Sequence, residues 1–156
     1  MKKLLIIAVI IAAAYQVYVQ SQPKLTVIQV EAFMASLDTA VDNQDYKSYK
    51  KHYDLKSTVR YTNQPNVSDN KNIAIKKMFK AIRSMWKNGI SSEGDLQSRR
   101  VTISKSEQEA IVETVERVTI THNGVLLEKT NSFSIVTLKL IEGRLLITDT
   151  EVRGEG

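Results

Sequence analysis

The stretch Val136-Thr-Leu-Lys-Leu-Ile-Glu-Gly-Arg-Leu-Leu-Ile-Thr-Asp-Thr-Glu-Val152 decides the fold, because apolar and polar residues alternate on both sides of Glu142-Gly143. That is the pattern of two strands joined by a tight turn. Folding the stretch about the turn sets Leu140 opposite Leu145, Leu138 opposite Ile147, and Val136 opposite Asp149. A carboxylate therefore ends an apolar row. It is either a reactive group in a lined pocket or the place where a strand runs out into water.

Upstream of this hairpin the strand pattern continues. Residues 99 to 105, 108 to 122, 125 to 141 and 144 to 152 read as strands separated by Ser106-Glu107, Asn123-Gly124 and Glu142-Gly143. Asn-Gly is the strongest of these turn signals, since both residues tolerate the positive φ of a type I′ hairpin. The strand from Gln108 to His122 has two readings. Ile111 and Val115 share one parity while Val118 and Ile120 share the other, so a bulge near Glu116-Arg117 would bring them to one face and bend the sheet. With the bulge, Glu113 joins the apolar row. Without it, Glu116 does, beside Val112, Val118 and Ile120. A cross-strand partner such as Arg100 or Arg117 would make either acid structural.

The first half of the chain has helical spacing instead. Thr26 and Gln29 form a capping-box pair, and Val27, Val30, Met34, Leu37 and Val41 recur at three-and-four spacing, which predicts a helix over 26 to 42. Asp45 caps a shorter helix carrying Tyr46, Tyr49 and Tyr53 on one face, and Thr58 to Thr62 is a short strand closed by Asn63-Gln-Pro-Asn66. A third helix, capped by Asp69 or Asn70, buries Ile75, Met78, Phe79, Ile82, Met85 and Trp86 and stops at Asn88-Gly89. Ile90 to Ser98 then reads as a loop. The fold class is α+β: a curved antiparallel sheet wrapped around about three N-terminal helices, with Met34 and Trp86 packed against Leu138 and Ile147.

Composition narrows the function classes. A chain of 156 residues suits one domain with an appendage. The formal charge of +5 falls to +3 once Lys2 and Lys3 are set aside, and the other charges are interspersed in sign, so no nucleic-acid stripe is expected. With no cysteine and only His52 and His122, neither a thiolate nor a multi-histidine metal site is expected. The sequence has no Gly-rich phosphate loop, Gly-x-Ser-x-Gly elbow or metal-spaced carboxylate cluster, and no cofactor is expected.

Residues 1 to 20 form a separate segment. Met1-Lys2-Lys3 precedes the apolar run Leu4 to Ala14, and the apolar character continues to Val19, broken only by Gln16. This is an export signal. Ala12-Ala13-Ala14 suits a signal peptidase, while the run 4 to 19 also suits a membrane anchor with Tyr15 and Tyr18 at the outer interface. Both readings deliver the remainder to the periplasm, soluble after cleavage or anchored. Residues 21 to 24 form a linker, 25 to 152 the domain, and 153 to 156 a tail.

The element order, and above all Phe133-Ser-Ile-Val-Thr-Leu-Lys-Leu-Ile-Glu-Gly-Arg-Leu-Leu-Ile147, resembles the nuclear-transport-factor-2-like superfamily, in which a penultimate strand, a Gly turn and a last strand recur at the C-terminus. The segment Asp45 to Tyr61 is similar to that family's second helix and first strand. Leu145 stands where many relatives carry Trp. The resemblance spans about residues 25 to 152 and implies a cone-shaped, pocketed scaffold. Its members include ketosteroid isomerases, dehydratases, polyketide cyclases and non-catalytic binding or assembly domains, some of them periplasmic domains hanging from one N-terminal helix.

An isomerase of this fold needs a carboxylate base and a hydrogen-bond donor for the developing oxyanion. The candidates are Asp149 and Tyr61, with His52 as an alternative base, and the expected pocket residues are Tyr53, Trp86, Glu113, Glu116, Val136, Leu138 and Ile147. Three readings follow. In the first, the chain is an exported binding or assembly domain for a small hydrophobic ligand or a protein partner. The second is a pocket enzyme, an isomerase or dehydratase acting on a hydrophobic carbonyl compound. The third is a structural homodimer built through the sheet. An open cavity with convergent polar groups distinguishes the second from the first.

Overall fold

The structure is a computed structural model that describes residues 24 to 63 and 71 to 154. Its elements run α1 (Val27–Asp42), α2 (Tyr46–Lys51), β1 (Tyr53–Asn63), β2 (Lys71–Ala74), α3 (Ile75–Lys87), β3 (Ile90–Ile103), β4 (Glu109–His122), β5 (Val125–Ile141) and β6 (Arg144–Gly154). The export segment, most of the linker, the end of the tail and the proposed caps Asp69 and Asn70 lie outside the described residues. Among those that are described, no helix is long and apolar enough to cross a membrane.

The local signals explain the helix starts. Thr26 Oγ1 accepts from the Gln29 backbone N–H while Gln29 Oε1 accepts from the Thr26 N–H, a complete capping box at the head of α1. Asp45 caps α2 by accepting from the N–H groups of Lys47 and Ser48, each at 3.1 Å. The third helix departs from expectation. Residues 71 to 74 form a strand paired with β1, so α3 starts after Ala74, which makes no side-chain cap bond.

The strands form one six-stranded sheet in the order β2-β1-β6-β5-β4-β3. The last four make the antiparallel meander read from the sequence, but β1 lies parallel to β6, so the sheet is mixed and not purely antiparallel. The turns at Asn123-Gly124 and Glu142-Gly143 have positive φ at both residues, 50° and 80° in the first and 50° and 75° in the second, which joins the strands by two-residue hairpins. Ile90 to Ser98, expected as a loop, is the first half of β3. Its run of Ser, Glu, Gly and Asp hides the strand period because this half is mostly exposed.

Bulges set the sidedness of the sheet. Strand β4 pairs with β5 without interruption from Glu109 to Ile120, so of the two readings of this strand the one without a bulge at Glu116-Arg117 holds. The extra residues lie in the neighbouring strands instead. Gln97 falls between the pairs Leu96 with Glu116 and Ser98 with Val115, Leu127 is skipped in β5, and Thr148 is skipped in β6. Thr148 matters most. Leu138 pairs with Ile147 as expected, but past the bulge Thr137 pairs with Asp149 and Val136 with Thr150, so the expected opposition of Val136 and Asp149 is overturned.

The helices pack on one face of the sheet and close the core. Val30, Met34, Leu37 and Ala40 of α1 and Ile75, Met78 and Phe79 of α3 are buried with Val59, Ala110, Val112, Val136, Leu138 and Ile147. Trp86 is half-buried against the same cluster. Leu138 and Ile147 are fully buried, and each such side chain contributes roughly 1.5–3 kcal/mol of transfer free energy. The expected contact between the helical stripes and the final hairpin is therefore present.

Candidate functional site

Where the inner face of the sheet widens toward β3, α1 no longer fills the space above it. The result is a cavity of about 430 Å³. Its floor follows from the register. Arg99, Thr114 and Ser134 form one inward row across β3, β4 and β5, and Leu96 with Glu116 forms the next. From above come Met34, Leu37, Asp38, Val41 and Asp42 of α1, and from the side Tyr49 of α2 and Tyr53 at the head of β1. Gly94 leaves room for the Glu116 side chain, since a Cβ there would lie 3.2 Å from Glu116 Oε2.

Arg99 is the electrostatic centre of this space. Its side chain is only 8% exposed; Nη2 donates to Asp38 Oδ2 at 2.9 Å and stands 4.0 Å from Glu116 Oε1. Arg99 Nε is buried without a hydrogen-bond partner, and so is the Thr114 hydroxyl on the directly opposed residue of β4. Thr114 is 2% exposed. Both atoms are closed off from the cavity as well as from bulk water, so Arg99 meets the cavity through its guanidinium edge toward Asp38 and Glu116.

The acids and phenols of the cavity are perturbed. Burial raises the Glu116 carboxyl above its ordinary range, and Asp38 and Asp42 push it further up, while Arg99 pulls the other way. The Tyr49 and Tyr53 hydroxyls share a 3.0 Å hydrogen bond. Burial and the neighbouring Tyr53 raise the Tyr49 hydroxyl well above the usual phenol range; burial raises Tyr53 to about 12, with the bond from Tyr49 opposing the shift. Either hydroxyl can be the donor of that bond, and both residues line the cavity.

Of the residues expected from the sequence, Tyr53, Glu116 and Val136 line the cavity. Leu138 and Ile147 lie in the solid core beneath it, and Trp86 packs edge-on to Tyr49 with ring centroids 5.8 Å apart. Glu113 points to the outer face, where Arg100 Nε donates to it at 2.6 Å. Asp149 lies on the outer face too, accepting from Arg60 Nη2 at 2.7 Å and from Thr58 Oγ1 at 2.9 Å. His52 is buried, bonded through Nδ1 to the Ser48 carbonyl and through Nε2 to Ser36 Oγ, with its ring edge-on to Phe33. Tyr61 follows Val59 on β1 and is more than a third exposed.

Sequence reasoning missed Arg99, Thr114, Asp38 and Asp42. Nothing local sets Arg99 apart from its neighbour Arg100, and Asp38 falls between the apolar positions of α1. An acid at the edge of that stripe facing an Arg on the no-bulge parity was the available signal, but it required the position of the β3 bulge. Among the described residues no group of His, Asp and Glu is arranged to hold a metal ion.

No family model matches the sequence, and no curated protein matches it either. Solved structures do match in shape. An NTF2-like protein from Cytophaga hutchinsonii aligns over 84% of this chain and 100% of its own, with a TM-score of 0.67 and 12% identity. The beta subunit of benzoate 1,2-dioxygenase from Burkholderia mallei aligns over 86% of this chain and 93% of its own, with a TM-score of 0.69 and 7% identity. ActVI-ORFA from Streptomyces coelicolor aligns over 82% and 96%, with a TM-score of 0.61 and 13% identity. At such identities the likeness is one of fold, and the chain has the nuclear-transport-factor-2-like fold.

Proposed function

We propose that this chain is a small-molecule-binding domain on the nuclear-transport-factor-2-like scaffold, carried across the inner membrane by its N-terminal segment. The observation that carries the reading is the cavity of about 430 Å³, in which Glu116 and the Asp38–Arg99 ion pair stand among the apolar side chains of Met34, Leu37, Val41 and Val136. Its size lies in the range of small-molecule sites. A domain built only for assembly gains nothing from leaving such a space unfilled. The export half of the reading rests on Lys2-Lys3 and the apolar run from Leu4 to Val19.

A thermal-shift screen of small amphipathic compounds against the full chain, repeated with Ser134→Phe, tests the binding. Hits on the wild type that disappear when the phenyl ring fills the cavity support it, and equal hits on both proteins refute it. Cell fractionation of the tagged chain tests export, which a wholly cytoplasmic distribution would contradict. The outer face of the sheet, where Ile111 and Val115 are exposed, offers the surface for self-association. Light scattering showing a monomer at high concentration would remove that role.

A second reading has its own observation. The raised Glu116 carboxyl shares its cavity with the Tyr49 and Tyr53 pair, so a proton acceptor and a phenolic donor face one guest. That is the equipment of an isomerase or dehydratase acting on a carbonyl compound. Glu116 would take a proton from the carbon beside the carbonyl and return it at the γ carbon, while Tyr53 would hydrogen-bond the oxygen as it gains charge and release it as the carbonyl re-forms. Turnover of a β,γ-unsaturated ketone, lost in Glu116→Gln and reduced in Tyr53→Phe, is the result this reading requires. Equal turnover by the wild type and Glu116→Gln excludes it.

A further inference from the structure

Charge sign is mixed along most of the chain, but not between Tyr46 and Lys87. That segment carries eleven Lys and Arg against two acids, Asp54 and Asp69, a net of +9, so with a total of +5 all other residues sum to −4. The fold gathers these cations on one surface. In α3, Lys76, Lys80, Arg83 and Lys87 recur at three-and-four spacing with Lys77 beside them, and all five are exposed while Ile75, Met78 and Phe79 face the core. This stripe runs along the flank toward α2: Arg83 stands 5.4 Å from the Tyr46 ring, and Lys50 lies 5.6 Å from Tyr46 and 5.7 Å from Phe79. Exposed Lys47 and Lys51 continue the surface along α2.

Solvation alone does not account for such a face. Elsewhere cations are paired, as Lys24 with Glu107, Arg100 with Glu113 and Lys139 with Glu109, whereas among the described residues none of those on α2 and α3 forms an ion pair. Helix α3 contains no acid at all. Like charges one turn apart repel, and Lys76 and Lys77 lie in the first turn, where the helix dipole disfavours cations. Nothing inside the chain offsets this repulsion. An anionic surface outside it does.

Resting on the anchored form of the export reading, we propose that the face made by α2 and α3 lies on a bilayer surface of anionic phospholipid. Leu25 is buried and its N–H is fixed on the Glu107 carbonyl at 2.8 Å, so only residues 20 to 24 separate the domain from the apolar run that ends at Val19. Fully extended, they span about 17 Å. From Leu25 along α1 to Phe33, whose ring packs on His52 at the end of α2, is about 12 Å. The tether therefore holds the basic surface within reach of the headgroups, where each Lys or Arg adds roughly fivefold in occupancy. A protein partner fits less well, because between its cations α3 offers only Ala81 and Ser84, with no apolar anchor for an interface core. A nucleic acid needs exposed rings to stack on, and Tyr46 is instead held between Lys50 and Arg83.

The chain has no cysteine, so one introduced thiol carries a unique fluorophore. Ser84→Cys places it on the basic stripe and Ser98→Cys on the outer face of the sheet, and both positions are exposed. Each labelled full chain is reconstituted into vesicles of phosphatidylcholine, alone or with about one-third phosphatidylglycerol, and quenching by spin-labelled headgroups is read. The Ser84 label is expected to be quenched about threefold or more in the anionic vesicles relative to the neutral ones, and the Ser98 label equally little in both. That difference should vanish at about 1 M salt, where the Debye length is about 3 Å, and in a variant combining Lys76→Gln, Lys80→Gln and Lys87→Gln. Equal quenching of the Ser84 label in both vesicles overturns the lipid assignment, and so does a label that responds only to added polyglutamate or oligonucleotide, which gives the face to another polyanion. Flotation with neutral vesicles reports the anchor separately. If the chain stays in solution there, the anchored reading fails; salt-sensitive flotation with the anionic vesicles then supports the face by itself, and flotation with neither overturns both.

Discussion

Val136 pairs with Thr150 across the final hairpin, and this one-residue offset from Asp149 decides which side of the sheet carries the last carboxylate. The offset comes from Thr148, the residue skipped in β6, whose hydroxyl donates to the Thr137 carbonyl at 3.3 Å. Thr150 faces the cavity, and Asp149 turns outward to Arg60. Both partners of that ion pair are substantially exposed, so its net stabilisation is small, about 0–1 kcal/mol. Asp149→Asn is expected to lower the urea-derived stability by no more than that and to leave guest binding unchanged. A loss of binding with the fold intact would return Asp149 to the site.

The same sidedness makes a sharper prediction in the sheet centre. Leu138 is 0% exposed and Ile111, on the adjoining strand with opposite parity, is 40% exposed. Leu138→Ala removes buried atoms and leaves a cavity, at a cost of roughly 2–5 kcal/mol. Ile111→Ala removes atoms already touching water, and surface changes of this sort usually stay within about 0.5 kcal/mol. Urea unfolding of the two variants should separate them clearly. Similar losses would mean that β4 turns its other face to the helices.

Much of this architecture was legible in the residues because each signal is local. The Thr26 and Gln29 capping pair, the stripes of α1 and α3, and the two type I′ turns all depend on neighbours within a few positions. The cavity was less legible. Whether Glu113 or Glu116 faces inward depends on a bulge, and the bulge lies at Gln97 in the partner strand, beyond the reach of the β4 pattern itself. Arg99 reaches the interior only because of that same extra residue. The parallel pairing of β1 with β6 joins segments some ninety residues apart, which no local period encodes.

His52 illustrates the opposite error, a chemically suggestive residue with a structural occupation. Both ring nitrogens are engaged, by the Ser48 carbonyl at 2.9 Å and by Ser36 Oγ at 3.2 Å, and the ring sits 4.9 Å from Phe33. It ties the end of α2 to α1. Truncating it removes two hydrogen bonds of a buried ring and opens a gap beside Phe33, while the exposed Ser36 turns to water, so His52→Ala should cost about 1–3 kcal/mol. The midpoint of urea denaturation should fall while binding at the cavity, measured well below that midpoint, stays within twofold. Unchanged stability with lost binding would assign His52 to the site.

Glu116 gives the clearest dependence on pH. Its carboxyl is raised in the folded chain, through burial first and then through Asp38 and Asp42, so the native state holds the proton more tightly than the unfolded one. Below the ordinary value of 4.5 both states are protonated and Glu116 makes no difference. As the pH climbs, the unfolded chain releases its proton first, and stability declines until the native carboxyl has titrated as well. Glu116→Gln lacks this slope. It should match the wild type below the ordinary carboxyl range and exceed it at neutral pH, because Arg99 keeps its bond to Asp38 at 2.9 Å. Urea titrations of both proteins across that span measure the difference directly. If the variant is instead the weaker protein at neutral pH, the attraction of Arg99 outweighs the burial and the repulsion from the two aspartates, and Glu116 stands in the cavity as an ordinary ion-pair partner.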